Sequence, residues 1–183
     1  MIDRYMVATT RTEGDLRATA AIQAEAHEAC SIAYSVLRTW WRRYPPGHTV
    51  ISREGRVIGG VGLWPVSADV YRTLRTRTLR EPEFIPLTVA EVAARGAQGD
   101  VGYWYLSGIA LSVPYRRTSA CAALLARVAA TWQARCTGSG VQRVGAMATS
   151  PIGARLLTRH GFARPPEASP VFFERLIETG TLI

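Results

Sequence analysis

Residues 102–125, GYWYLSGIALSVPYRRTSACAALL, hold the sharpest signal in the chain. From Gly102 to Val113 both alternating faces are apolar, the pattern of a central strand covered on both sides. Pro114 breaks the run, Arg116 and Arg117 follow, and a helix is predicted from near Thr118. Cys121, Leu124, Leu125, Val128, Ala129 and Trp132 form its apolar stripe. A strand that enters a helix through a basic turn suits an anion. The helix start carries about half a positive charge on free N–H groups, and two guanidinium groups add full charges beside it.

Outward from this stretch the pattern is mixed. On the C-terminal side, VQRVGAMAT (141–149) reads as another central strand. Ser150 can N-cap a helix with Pro151 at its first position, Gly161 can close it, and VFFERLI (171–177) is a last strand. On the N-terminal side, RYMVAT (4–9) can be a first strand. Thr12 and Asp15 form an imperfect capping box ahead of helical sequence at 15–29. A second helix spans 31–44 and stops at Pro45 and Pro46. HTVISREGRVIGGVGLW (48–64) reads as a hairpin turning at Glu54-Gly55. Gly59, Gly60 and Gly62 precede no helix, so they are read as strand positions where another element packs closely, and not as a dinucleotide fingerprint. Residues 66–100 are read as an insertion between strands, with helix at 67–84, Pro82 and Pro86 as breaks, and a short helix near 87–96. Arg72, Arg75, Arg77 and Arg80 make it the densest positive stretch, read as a solvated face or else as an anion-binding or acceptor-facing insertion. The expected fold class is mixed α/β, in one domain over residues 1–183.

Composition bounds the function. The chain has 183 residues, 48% of them hydrophobic and 20% charged, which fits one soluble globular domain. The best apolar run, CAALLARVAATW, is cut by Arg127, and MIDRYMVATTRTEG at the N-terminus lacks a signal-peptide core, so a cytoplasmic location without membrane contact is expected. Cys30, Cys121 and Cys136 are odd in number and read as reduced thiols. His27, His48 and His160 are scattered, so no metal site is expected. All 22 basic side chains are arginine, and neither lysine nor asparagine occurs; a GC-rich, bacterial-like codon usage accounts for both absences. The net charge of +8 favours an anionic partner, either a phosphate-bearing cofactor or nucleic acid. No nucleic-acid recognition motif is present, so nucleic acid is the weaker candidate.

The segment Ile109–Leu125, followed by ATSPIGARLLTRHGF (148–162), resembles the two linked motifs of the GNAT acyltransferase superfamily. There a central strand ends in a splayed bulge and Pro, and Arg/Gln-x-x-Gly-x-Gly/Ala then opens a helix. A second strand and a helix ending in Gly-Phe complete the site. The matching positions are Arg116-Arg117-Thr118-Ser119-Ala120-Cys121, with Ala122 next, and Gly161-Phe162. The resemblance implies a GNAT-type mixed sheet flanked by helices. It also implies acetyl-CoA or another acyl-CoA as co-substrate, no metal, a small-molecule or protein amine as acceptor, and room for a homodimer. Residues 116–122 would hold the diphosphate, and Ile109, Ala110, Leu111 and Val113 would line the pantetheine arm through their backbone.

The sequence departs from the family at informative places. Ser119 and Cys121 replace its glycines. Ser150 and Leu157 stand where the family often has Asn and a proton-donating Tyr. Tyr105 occupies the place of a glutamate base in histone-acetyltransferase-like members. Tyr105 and Ser107 share a strand face and could relay a proton through water. An unshifted phenol is a poor base, and Tyr105 could equally be core. Glu81, Glu83 and Glu91 in the insertion are alternative bases. Tyr105, Ser107 and Ser150 are therefore the catalytic candidates. Two other readings stand beside the acyltransferase: a GNAT-fold protein that binds acyl-CoA or a partner without turnover, and an arginine-rich nucleic-acid binder.

Overall fold

The hairpin predicted at Glu54-Gly55 forms because both residues adopt left-handed backbone, with φ of 52° and 76°. Such a two-residue turn matches the natural twist of the strands that it joins. The computed structural model describes residues 5–26, 31–97, 102–135 and 140–179. Six strands make one mixed sheet, in chain order: β1 (Met6–Thr9), β2 (His48–Arg53), β3 (Arg56–Val66), β4 (Gly102–Leu111), β5 (Gly140–Met147) and β6 (Phe172–Thr179). β1–β2, β2–β3 and β5–β6 pair antiparallel, and β4–β5 pair parallel. Six helices flank them in sequence: α1 (Glu13–Ala26), α2 (Tyr34–Arg43), α3 (Ala68–Thr76), α4 (Val89–Ala97), α5 (Ala120–Arg135) and α6 (Pro151–Arg159). Among the described residues no helix is long and apolar enough to cross a membrane.

The chain divides into two compact units. The first comprises Met1–Leu63 and Gly108–Ala134. The Thr12–Asp15 capping box forms as predicted: each residue's side chain accepts from the other's backbone N–H, at 3.1 and 3.3 Å. α1 then buries Leu16, Thr19, Ala20, Ile22 and Gln23. α5 begins at Ala120, two residues later than predicted. Leu124, Leu125, Val128 and Trp132 are buried, while Cys121 and Ala129 are only half-buried. Two glycines of β3, Gly59 and Gly60, are close-approach positions. A Cβ on Gly59 would lie 2.5 Å from the Ala110 carbonyl oxygen, and one on Gly60 would lie 2.7 Å from the Thr19 methyl.

The second unit comprises Trp64–Ser107 and Arg135–Ile183. Its core is aromatic: Trp64, Tyr105 and Phe172 are fully buried and Phe84 nearly so. Within residues 66–100 the long predicted helix is shorter. Ser67 caps α3 by accepting from the Val70 N–H, and Arg77 ends it in left-handed backbone at φ 59°. α6 starts and ends where expected, with Ser150 as N-cap and Gly161 turning the chain at φ 78°.

These contacts separate two glycines that look alike in sequence. Gly59→Ala should destabilise the protein by about 1–3 kcal/mol, because its neighbour is backbone and cannot step aside. Gly96 in α4 has nothing within 4 Å of an added Cβ, so Gly96→Ala should gain up to about 1 kcal/mol. Urea unfolding of the two variants measures both, and equal effects would contradict the packing.

Candidate active site

β4 is interrupted at Gly108, whose φ of 57° rotates one peptide out of the strand. The Nε2 group of Gln23 donates to the Gly108 carbonyl at 2.8 Å. A Cβ at Gly108 would sit 2.4 Å from that amide nitrogen, so glycine is required on two counts. Gln23 is 1% exposed. Sequence reasoning did not single it out, although a glutamine in line with Leu16 and Ala20 on a buried helix face is a visible anomaly. The parallel ladder with β5 pairs only Gly102–Leu106, and Ser107–Leu111 run beyond it.

The basic turn follows. After Leu111, one 3-10 turn at Val113–Tyr115 leads into the start of α5. The two arginines take different parts. Arg116 folds back, its Nε donating to the Leu111 carbonyl at 2.9 Å and its Nη2 lying 4.0 Å from Glu25. Arg117 is exposed and has no ion-pair partner among the described residues. The Thr118 hydroxyl donates to the Tyr115 carbonyl and accepts from the Ala120 N–H and the Tyr5 hydroxyl. Ser119 is exposed and its carbonyl accepts from the Ala123 N–H. The N–H groups of Ser119, Cys121 and Ala122 find no acceptor among the described residues. An exposed guanidinium beside unengaged amides at a helix start has the charge and the donors that a phosphate requires. Burial raises the Cys121 thiol pKa, so it stays protonated.

The catalytic candidates lie in the second unit. Tyr105 is fully buried, its ring edge-on to Phe84 with centroids 5.4 Å apart. Its hydroxyl has no well-formed hydrogen bond, and its charged neighbour is the carboxyl of Glu81. Burial first, and then that carboxylate, raise the phenol well above its ordinary pKa, so Tyr105 cannot act as a base near neutral pH. Glu81 itself is half-buried, and desolvation pushes it up to about 7. Ser107 is buried and accepts from the Trp64 indole N–H at 2.8 Å. Ser150 accepts from the Gly153 N–H at 3.1 Å as the α6 cap. Leu157 is buried and offers no proton.

Three arginines of the 72–80 stretch have partners. Arg72 pairs with Asp69, Arg80 with Glu83, and Arg75 donates to the Pro166 carbonyl. A network the sequence did not suggest joins Tyr71, Arg143 and Glu174: the Glu174 carboxylate accepts from the Tyr71 hydroxyl at 2.7 Å and from Arg143 Nη1 at 3.2 Å. His48 is fully buried and held neutral by desolvation, its pKa near 3, with Nδ1 2.6 Å from the Thr10 hydroxyl. Among the described residues no group of His, Cys, Asp and Glu could hold a metal ion. Of the histidines and cysteines, His27, Cys30 and Cys136 lie outside the described residues.

No protein-family profile and no curated protein sequence matches the chain. Solved structures do. The Escherichia coli ribosomal-protein-S18-alanine N-acetyltransferase superposes with a TM-score of 0.59 at 13% identity, over 96% of this chain and 94% of that one. The N-acyl amino acid synthase FeeM from uncultured soil microbes gives the same TM-score and identity, over 96% and 91%. A GNAT family N-acetyltransferase from Escherichia coli, solved in complex with CoA, gives 0.57 at 13%, over 94% and 81%. The chain has the GNAT fold.

Glu81 makes a pH signature that needs no substrate. Its pKa in the fold lies above the ordinary carboxylate value of 4.5, so the folded state holds a proton that the unfolded chain has released. Stability therefore falls as pH rises from about 4.5 to about 7 and stays lower above that. Glu81→Gln should melt at wild-type temperature near pH 4 and at a higher temperature near pH 8. A constant difference across that range would show that the carboxyl is not desolvated.

Proposed function

We propose that the protein is an acyl-CoA-dependent N-acyltransferase that moves an acetyl group from acetyl-CoA to an amine. The observation that carries this reading is the turn at 116–122, with an exposed Arg117 and unengaged amides directly after a bulged strand, in a GNAT fold. The turn fits a diphosphate in charge and donor geometry. Ser119 and Cys121, in place of glycines, leave its amides open. Ile109, Ala110, Leu111 and Val113 offer the pantetheine arm their backbone, while Arg116 braces the turn through the Leu111 carbonyl.

The reaction asks little covalent help of the protein. The amine lone pair attacks the thioester carbonyl, the C–N bond forms, the C–S bond breaks to release a thiolate, and the proton lost by nitrogen passes to the thiolate or to solvent. An alkyl thiol has a pKa of about 8.5, so the thiolate leaves without full protonation, and Leu157 in the tyrosine position does not forbid the step. Holding both reactants in line supplies much of the acceleration, on the order of 7–11 kcal/mol at best.

Acetyl-CoA at 100 times its dissociation constant should stabilise the fold by about 2.7 kcal/mol, a melting shift of several degrees. Arg117→Ala should weaken that binding by about tenfold, the scale of one charge-assisted hydrogen bond. The reading fails if folded protein shows no shift at millimolar acetyl-CoA. Leu157, which cannot donate a proton, supports a second reading in which acyl-CoA binds without turnover. A wild type that binds acetyl-CoA and acylates no amine in a broad panel selects it.

A further inference from the structure

Gln23 on α1, β4 from Gly108 onward and the turn at 116–122 all belong to the first unit. α1 lies close to the sheet because Gly60 has no side chain: the methyl of the fully buried Thr19 would stand 2.7 Å from a Cβ there. Gln23 is one turn further along the same helix face, which brings its side chain to the Gly108 peptide. Its Nε2 donates to the Gly108 carbonyl at 2.8 Å, while its buried Oε1 finds no donor among the described residues. Beyond the bulge the chain is tied at two more points. The Ser112 N–H donates to the Ile58 carbonyl and Arg116 Nε to the Leu111 carbonyl, each at 2.9 Å.

Stability alone does not call for a glutamine at this position. Its amide must leave water, and it satisfies one buried acceptor, the Gly108 carbonyl, while burying another, its own Oε1. The number of unmet acceptors is the same as with an apolar residue there. What the glutamine changes is direction. Gly108, at φ 57°, is a residue whose backbone could turn other ways, and the hydrogen bond selects one of them.

We infer that Gln23 is a positioning residue for the acyl donor, holding the Gly108 peptide so that Ile109, Ala110 and Leu111 present a fixed edge to the pantetheine arm, an inference that rests on the acyltransferase reading above. Gln23 acts through the strand and leaves the thioester untouched. The arm is a flexible chain with amide groups, and a strand already fixed in direction spares the cost of ordering it at binding. The diphosphate depends on other groups: Arg117 and the N–H groups of Ser119, Cys121 and Ala122. Because the Ser112 and Arg116 hydrogen bonds hold the turn from its own side, loss of the Gln23 bond loosens the peptide at 108 and leaves the turn in place. The two halves of the donor therefore separate by the side chain that each needs.

The test measures binding of three probes to the full chain by calorimetry: acetyl-CoA, acetyl-pantetheine, which has the arm and no diphosphate, and ADP, which has the diphosphate and no arm. Gln23→Met keeps the length of the side chain and removes the donor. It should weaken acetyl-CoA and acetyl-pantetheine by about tenfold and leave ADP unchanged. Arg117→Ala should show the reverse, weakening acetyl-CoA and ADP and sparing acetyl-pantetheine. Gln23→Glu is the conservative rescue, because a protonated carboxyl still donates to the Gly108 carbonyl and an ionised one does not. Compared with wild type at the same pH, it should bind acetyl-pantetheine normally in acid and lose about tenfold as the pH rises. A glutamine that merely filled space would give no such profile. A Gln23→Met that binds all three probes as wild type does, or weakens all three alike, overturns the inference and leaves the acyltransferase reading standing. If the methionine variant does not fold, a Gln23→Glu that matches wild type at every pH overturns it. Wild type that binds acetyl-CoA no tighter than ADP also overturns it, because the arm then has no site on the strand. Wild type that binds none of the three overturns the acyltransferase reading as well.

Discussion

A strand that must keep one neighbour while leaving the other needs a residue whose backbone can turn the wrong way for an L-amino acid. In β4 that residue is Gly108. Its peptide carbonyl, rotated out of the regular ladder, would be an unpaired buried acceptor if Gln23 did not donate to it. The pairing with β5 ends two residues earlier, at Leu106, and the close approach of Gly59 to Ala110 supports the strand beyond the bulge. The Ser112 N–H then reaches back to the Ile58 carbonyl, and the basic turn begins from a fixed point. The direction of α5 and the open amides at its start both follow from that one kink.

What could be read in the sequence was what the chain decides locally. The Thr12–Asp15 box, the Glu54-Gly55 turn, the Ser150 cap and the Gly161 stop each involve residues within a few positions of one another. Their chemistry leaves a pattern that a reader can find. The polar contacts that organise the core span long separations: Gln23 to Gly108, Trp64 to Ser107, Tyr71 to Glu174. No periodicity announces a partner 43 or 103 residues away. In the candidate site, the turn was legible because its cations and its helix are neighbours in sequence. Glu81 was one of three equal carboxylates until the fold engaged the other two. Arg116 and Arg117 looked alike, and only the return of the first to the Leu111 carbonyl distinguishes them.

The electrostatics follow a similar division. A chain with a net charge of +8 would repel itself if its arginines were left alone, yet many are answered nearby. Glu13 alone receives Arg38 and Arg42. Beside these pairs, Arg117 is an exposed guanidinium without an ion-pair partner among the described residues, and Glu81 is a carboxyl whose pKa burial raises. One favours a negative charge from outside, and the other is kept partly protonated by desolvation. Groups that deviate from their surroundings in this way are where chemistry is expected.

α4 buries none of its residues. A nine-residue helix without a packed face draws its stability from its own caps and side-chain pairs, and at that length helix formation in water is marginal. The Thr88–Glu91 contacts hold its first turn, and little holds the rest. Its amides should therefore exchange with solvent through a local opening far cheaper than global unfolding. Phe84 and the Leu87 hydrogen bond to Pro65 lie between this helix and the turn that bears Glu81, and they confine the opening to the segment after residue 87. The protein thus keeps a low-stability segment a few residues from the turn that bears Glu81, separated from it by one buried ring.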